Sequence, residues 1–138
     1  MELVSTHICK GKNVGVHGNL FGGTLLSWID EAAGAYAAQC CDTPRMVTKS
    51  MSRVVFEKPI RPGQVIKVYG EVKKIGNTSI TIEIEVRRHS VYDGVQKLVC
   101  FTDITFVRID GDGEPVPLSE RIKKKYLNNK YPSEDTAT

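Results

Sequence analysis

The chain has 138 residues, enough for one domain with a substantial apolar core. Its formal net charge is +3, from 19 Lys and Arg against 16 Asp and Glu, a balance too slight and too scattered to indicate nucleic acid. No apolar run approaches the roughly 18 residues a membrane-spanning helix needs, so no membrane insertion is expected.

Taken in chain order, residues 3–8 read as a short strand, and 10–19 as a polar loop containing glycine. A helix is predicted over about 21–39, where Asp30 and Glu31 are the sole charged residues between Phe21 and Ala38. A helix apolar around its circumference belongs in a core or an interface. Gly34 within it costs roughly 0.5–1 kcal/mol relative to Ala, and the small residues Ala33, Ala37 and Ala38 leave room for a close backbone neighbour. Asp42-Thr43-Pro44 ends the segment, because the residue before a proline avoids helical geometry.

From residue 46 to 110 the pattern is β. A strand over 47–56 is followed by the punctuation of Pro59, Pro62 and Gly63, then by a strand over 65–75. The cleanest alternation sets Ile80, Ile82, Ile84 and Val86 against Thr81, Glu83, Glu85 and Arg87. A period of two marks a strand with one buried face. Gly76-Asn77 and Asp93-Gly94 are hairpin turns. The last strand, 97–109, is apolar on both faces in part, which argues for a more central place. Ser119 is placed to cap a short helix over 120–128. The expected organisation is one domain over 1–131 with a flexible polar tail over 132–138.

These elements form an α+β arrangement, an antiparallel sheet wrapped around one long helix. The helix has little polar surface to offer solvent, so a second copy of the chain is expected on its open side. Cys9, Cys40, Cys41 and Cys100 show neither a C-x-x-C spacing nor a metal-ligand pattern with His7, His17 or His89. No metal or cofactor is expected. The N-terminal segment lacks a basic stretch followed by an apolar run, and a reducing cytoplasm with free thiols is the simplest reading.

The strongest sign of a site is Asp30. A buried carboxylate is normally paired, hydrogen-bonded or protonated, and this one follows the Gly22-Gly23 pair by two helical turns. Asn19-Leu20-Phe21-Gly22-Gly23 followed by Trp28-Ile29-Asp30-Glu31-Ala32-Ala33 resembles the hotdog-fold acyl-CoA thioesterases, in the bacterial cytosolic branch related to brain-type acyl-CoA hydrolase. Further segments fit in order: Phe56-Glu57-Lys58-Pro59-Ile60-Arg61-Pro62-Gly63, then Gly76-Asn77-Thr78-Ser79-Ile80-Thr81-Ile82. Asp103-Ile104-Thr105-Phe106-Val107 with Pro115-Val116-Pro117 completes the series, and the likeness covers about residues 5 to 118. One position departs: the asparagine the family places four residues before Asn19 is Gly15 here, with Asn13 nearby.

Thioester hydrolysis needs an activated water or nucleophile and donors for the oxyanion. The first N–H groups of a helix lack internal partners and carry the positive end of its dipole. Gly22 and Gly23 let a carbonyl oxygen reach them, and Asp30 is placed to act as general base or as direct nucleophile. Seven residues separate Gly23 from Asp30, about 10 Å along a helix axis. That is too far for both to act on one carbonyl carbon. The simplest resolution is a site shared between two chains, and the resemblance implies the same, with Asn19 supplied by the partner chain.

The resemblance further implies acyl-CoA as substrate, a dimer as catalytic unit and a hexamer as the probable assembly over a dimer or tetramer. It also implies contacts from Phe21, Thr78 and Ser79, and basic residues near the CoA phosphates. Candidates for the latter are Arg61, Arg87, Arg88, Lys58 and the run Arg121, Lys123, Lys124 and Lys125. Leu25, Leu26, Trp28 and Tyr36 are candidates to line the acyl channel. Two alternatives stay open: a hotdog hydratase or dehydratase using His17, and a non-catalytic acyl-CoA sensor. A serine hydrolase is disfavoured because no Gly-x-Ser-x-Gly elbow exists.

Overall fold

The computed structural model describes residues 1–128 and 133–134. Strand β1 (Glu2–Ile8) and a 3-10 turn (Gly11–Asn13) precede the long helix α1 (Gly22–Cys41). Strands β2 (Met46–Phe56), β3 (Val65–Gly76), β4 (Ser79–His89) and β5 (Gln96–Arg108) follow, then helix α2 (Glu120–Asn128) and the short strand β6 (Ser133–Glu134). The sheet runs β1-β3-β4-β5-β2, antiparallel throughout, with β6 beside the end of β3 in parallel. The tail expected over 132–138 lies outside the described residues except for β6.

The alternation on β4 does what its period requires. Ile80, Ile82, Ile84 and Val86 are fully buried, as are Ile66 and Val68 on β3 and Ile104 on β5. Against them packs one face of α1, carrying Leu25, Ile29, Ala33 and Ala37. The small residues of α1 thus admit the sheet: the space beside Gly34 is filled by the Phe106 ring, 3.6 Å from where a Cβ would stand. Strand β5 is flanked on both sides, while β2 is an edge.

The helix runs two residues beyond the expected end, to Cys41, and closes on Asp42, which adopts the left-handed conformation at φ 53°. Within one protomer it has an open side, on which Gly23, Ser27, Asp30, Glu31, Ala35 and Gln39 are exposed. Asp30 is therefore a surface carboxylate of the single chain. Strand β2 is mostly exposed too, and it bulges between Ser52 and Val55, where Arg53 takes a φ of 51°. The short helix α2 starts as expected, with the Ile122 N–H donating to the Ser119 hydroxyl at 3.3 Å.

Candidate active site

The start of α1 is built by the loop before it. Phe21 is the N-cap residue, in extended conformation, and its N–H donates to the Asn13 carbonyl at 2.9 Å. Its own carbonyl accepts from the N–H groups of Thr24 and Leu25 at 3.0 and 3.1 Å. The Leu20 N–H donates to the Ile60 carbonyl at 2.7 Å, pinning the helix start to the segment that follows β2. Among the described residues, the N–H groups of Gly22 and Gly23 donate no backbone hydrogen bond. They are the orphan donors of a helix terminus.

A cleft of about 340 Å³ opens at this point, with Asn19, Gly22, Leu20, Leu25, Phe56 and Ile60 among its walls. Its surface is chiefly apolar, and Glu57 and Lys58 stand at its edge. Two aromatic rings bracket the glycines. Phe56 lies 3.7 Å from where a Cβ on Gly22 would be, and Phe21 lies 2.7 Å from the corresponding point on Gly23. Any side chain at Gly23 would therefore displace the Phe21 ring. Phe21 and Phe56 are nonetheless exposed in the protomer, at 61% and 52%.

Asp30 does not line this cleft. It stands on the exposed face of α1 and accepts a hydrogen bond from the Thr48 hydroxyl of β2 at 2.7 Å. Thr78 and Ser79 are also elsewhere, at the turn entering β4, and both are buried. The Thr78 carbonyl accepts from the Arg108 N–H at 2.9 Å, while its hydroxyl has no partner among the described residues.

The basic candidates divide in two. Lys58 borders the cleft, and the Arg88 guanidinium donates to the Pro59 carbonyl at 3.2 Å on the same rim. Arg61 is exposed just beyond Ile60, its N–H donating to the Gln64 side chain at 2.9 Å. Arg87 instead covers the Tyr69 ring at 4.1 Å and pairs with Glu85 at 2.8 Å. Arg121 pairs with Asp42, and Lys123 donates to the Asn77 side chain at 2.7 Å. Of the channel candidates, Leu25 lines the cleft, whereas Trp28 packs against the core and stacks on His7. His17 lies exposed in the loop before the helix.

The cysteines have no apparatus of activation. Burial pushes the Cys41 thiol up to about 12, aided by Cys40 and Asp42, and burial takes Cys100 to about 11. A nucleophilic cysteine needs the opposite shift.

Residues 17–94, which hold the helix start, Asp30, β2 and the cleft rim, match the family model described as the thioesterase superfamily. The chain belongs to the thioesterase superfamily. Among relatives of this superfamily member is a Bacillus subtilis protein named uncharacterized acyl-CoA thioester hydrolase YkhA. It is 33% identical over 129 residues, spanning 86% of this chain and 74% of the relative. Among solved structures, a hexameric hotdog-fold thioesterase of Campylobacter jejuni superposes with a TM-score of 0.80 and 34% identity, covering 92% and 97% of the two chains. A Staphylococcus aureus acyl-CoA hydrolase, solved with butyryl coenzyme A and coenzyme A, gives a TM-score of 0.78 at 26% identity, covering 91% and 80%. The fold is the hotdog α+β fold.

Within this superfamily member, sequence reasoning missed Thr48 and the cleft-facing role of Phe56. Phe56 had a signal, since it opens the segment running to Gly63 that the motifs singled out. Thr48 had none: a threonine 18 residues from Asp30 acquires meaning when β2 folds back beside α1.

Proposed function

We propose that this protein is an acyl-CoA thioesterase, hydrolysing the thioester of an acyl-CoA to a free carboxylic acid and coenzyme A. The observation that carries this is the pair of unpartnered N–H groups of Gly22 and Gly23 at the start of α1, with Gly22 and Asn19 lining the apolar cleft beside it. A helix terminus of this kind stabilises the oxyanion that forms when the thioester carbonyl is attacked. With a partner chain closing over them, the flanking rings of Phe21 and Phe56 would exclude water and strengthen those hydrogen bonds.

Asp30 supplies the attack. As a base it takes a proton from water; the water oxygen bonds to the acyl carbon, the C–S bond breaks, and the departing thiolate is protonated. As a nucleophile it would form an acyl anhydride that water then opens. A single turnover in heavy-oxygen water tests for the second route: label in Asp30 marks an anhydride opened by water at the Asp30 carbonyl, which the first route cannot give.

The catalytic unit in this reading is a dimer. Gly23 and Asp30 lie about 10 Å apart along one helix, Asp30 is exposed, and β2 leaves its outer edge unpaired among the described residues. A partner along that edge brings its Asn19, Gly22 and Gly23 towards this chain's Asp30. Assembly into a hexamer is supported by the Campylobacter neighbour, which is described as hexameric. Arg61, Arg88 and Lys58 serve the CoA phosphates at the rim. Four free cysteines suit a reducing cytoplasm, where the enzyme would act in lipid metabolism.

The test is release of free thiol from a panel of acyl-CoAs of increasing length. Saturable turnover of at least one member is the expected result. Binding without turnover would indicate a sensor, and a change in enoyl absorbance without thiol release a hydratase.

A further inference from the structure

The connection between β4 and β5, residues 90–95, turns its polar groups inwards on itself. The Ser90 N–H donates to the Val95 carbonyl and the Gly94 N–H to the Ser90 carbonyl, both at 2.9 Å. The Ser90 hydroxyl accepts from the Tyr92 N–H at 3.3 Å, and the Asp93 carboxylate from the Val95 N–H at 3.0 Å. Gly94 permits the closure at a φ of 75°. The side chains left facing outwards are apolar: Val91, Tyr92 and Val95 are 67%, 96% and 51% exposed. Clustered exposure of this kind, unlike a single stray residue, marks an interaction surface.

Beside this tip runs a groove of about 430 Å³, with Gly63, Val65, His89, Tyr92, Val95 and Lys97 among its walls. Neither Asp30 nor the start of α1 borders it. Its charge is chiefly basic. Lys97 is exposed and forms no ion pair among the described residues. Arg88 also lines the groove, its guanidinium donating to the Pro59 carbonyl at 3.2 Å, and the His89 ring meets the Gln96 amide at 3.0 Å. Among the described residues, the one carboxylate in these walls is Asp93 at the tip. The Val95 N–H and the Ser90 side chain hold it below the usual carboxylate range, so it is ionised at neutral pH.

One patch thus carries both halves of a contact: a projecting Tyr92-Asp93 pair and a receiving groove with a basic wall. An anionic lipid surface would attract Lys97 but repel Asp93, and would leave the groove empty. A second copy of the chain satisfies both halves.

We infer that the 90–95 tip of one dimer seats in this groove of the next, joining three dimers into the hexamer. The inference rests on the assembly proposed with the thioesterase reading and not on its chemistry. The β2 edge closes a dimer, and a closed hexamer needs a second, distinct surface between dimers. Tyr92 is the anchor, and Asp93 lies against Lys97 of the partner subunit.

Sedimentation velocity of the full-length protein is the test, and the wild type is expected to sediment as six copies. Tyr92→Ser alters a side chain that is almost wholly exposed, so the protomer keeps its fold. It should raise the dissociation constant of the hexamer at least about thirtyfold, the loss of an anchoring aromatic, and leave dimers. Lys97→Glu sets like charges face to face and should raise that constant about fivefold. Adding Asp93→Asn, which keeps the acceptor for the Val95 N–H, should restore most of the loss. Leu127→Ser, as exposed as Val95 but on α2, should leave six copies. A hexamer untouched by Tyr92→Ser, or a Lys97→Glu defect that Asp93→Asn does not relieve, overturns the inference. Dimers from Leu127→Ser would move the contact to α2 and overturn it as well. A wild type of two copies removes both this contact and the proposed hexamer. Sedimentation needs no turnover, so six copies that release no thiol keep the tip contact and lose the proposed activity.

Discussion

The Thr48 hydroxyl donates to the Asp30 carboxylate at 2.7 Å, joining the edge strand β2 to the exposed face of α1. The bond fixes one rotamer of the acid and uses one of its oxygens, leaving the other for a water or an acyl carbon. Asp30→Asn should lower kcat at least about 100-fold, the lower bound for general acid–base catalysis, while the oligomer persists in size-exclusion chromatography. A near-native rate would remove Asp30 from the mechanism. Thr48→Val keeps the shape and deletes the donor. A hydrogen bond to a charged group contributes about 1.5–3 kcal/mol, so kcat should fall roughly 10- to 100-fold, with Thr48→Ser restoring most of it.

The shared-site arrangement is tested by mixing. Gly23 is the second residue of α1, within the first turn, where proline is tolerated because its missing N–H had no helical partner. Gly23→Pro chains should therefore fold, with the exposed Phe21 ring pushed aside and one oxyanion donor lost, and Asp30→Asn chains lack the acid. Heterodimers formed by co-refolding should regain part of the activity, since one of their two junctions carries both intact groups. No recovery would place each site within a single chain.

Acid should destabilise the fold through His7. Burial depresses its folded pKa below the 6.5 of the unfolded state, so below that value the unfolded chain binds more protons than the native one. Stability attributable to the neutral ring is complete above pH 6.5 and is lost as the pH falls towards the folded pKa. Thermal unfolding of the native protein should show a lower Tm at pH 5.5 than at pH 8, and His7→Asn should reduce that difference. An equal pH dependence in the variant would rule out this ring as its source.

The raised pKa values of Cys41 and Cys100, about 12 and 11, hold both thiols protonated at neutral pH. Brief exposure to iodoacetamide at pH 8 should leave activity intact, and Cys41→Ala should turn over at a near-native rate. Rapid inactivation would show a thiolate in the chemistry.

Gly34 offers a gain in stability. A Cβ there would meet the Phe106 ring at 3.6 Å, an ordinary van der Waals contact, and alanine stabilises a helix interior by about 0.5–1 kcal/mol relative to glycine. Gly34→Ala should raise Tm by a few degrees without altering oligomer size.

The β architecture was legible because the alternation on β3 and β4 marks strands with a buried face, and turn residues mark both hairpins, although β3 runs on through Gly76 and Asp93-Gly94 lie inside a longer connection between β4 and β5. The stop of α1 at Asp42-Thr43-Pro44 was legible, while its last residue, expected near Gln39, lies at Cys41 because the left-handed turn falls on Asp42 itself. Which half of the helix stays open in one chain could not be read from composition, because a small residue such as Ala35 is apolar whichever surface covers it. Of the candidate site, the glycine pair, Asn19 and Asp30 could be picked out by residue type along the chain. Pairings that form across folded elements could not, among them Thr48 with Asp30 and His7 with Trp28.

The kink at Arg53 has a consequence for solubility. A long, straight outer strand recruits further strands without limit, which is how ordered aggregates grow. Here the run of pairable backbone is interrupted between Ser52 and Val55, and an arginine is fixed at the break. The chain can thus accept one well-matched companion along that border and discourage a queue of others.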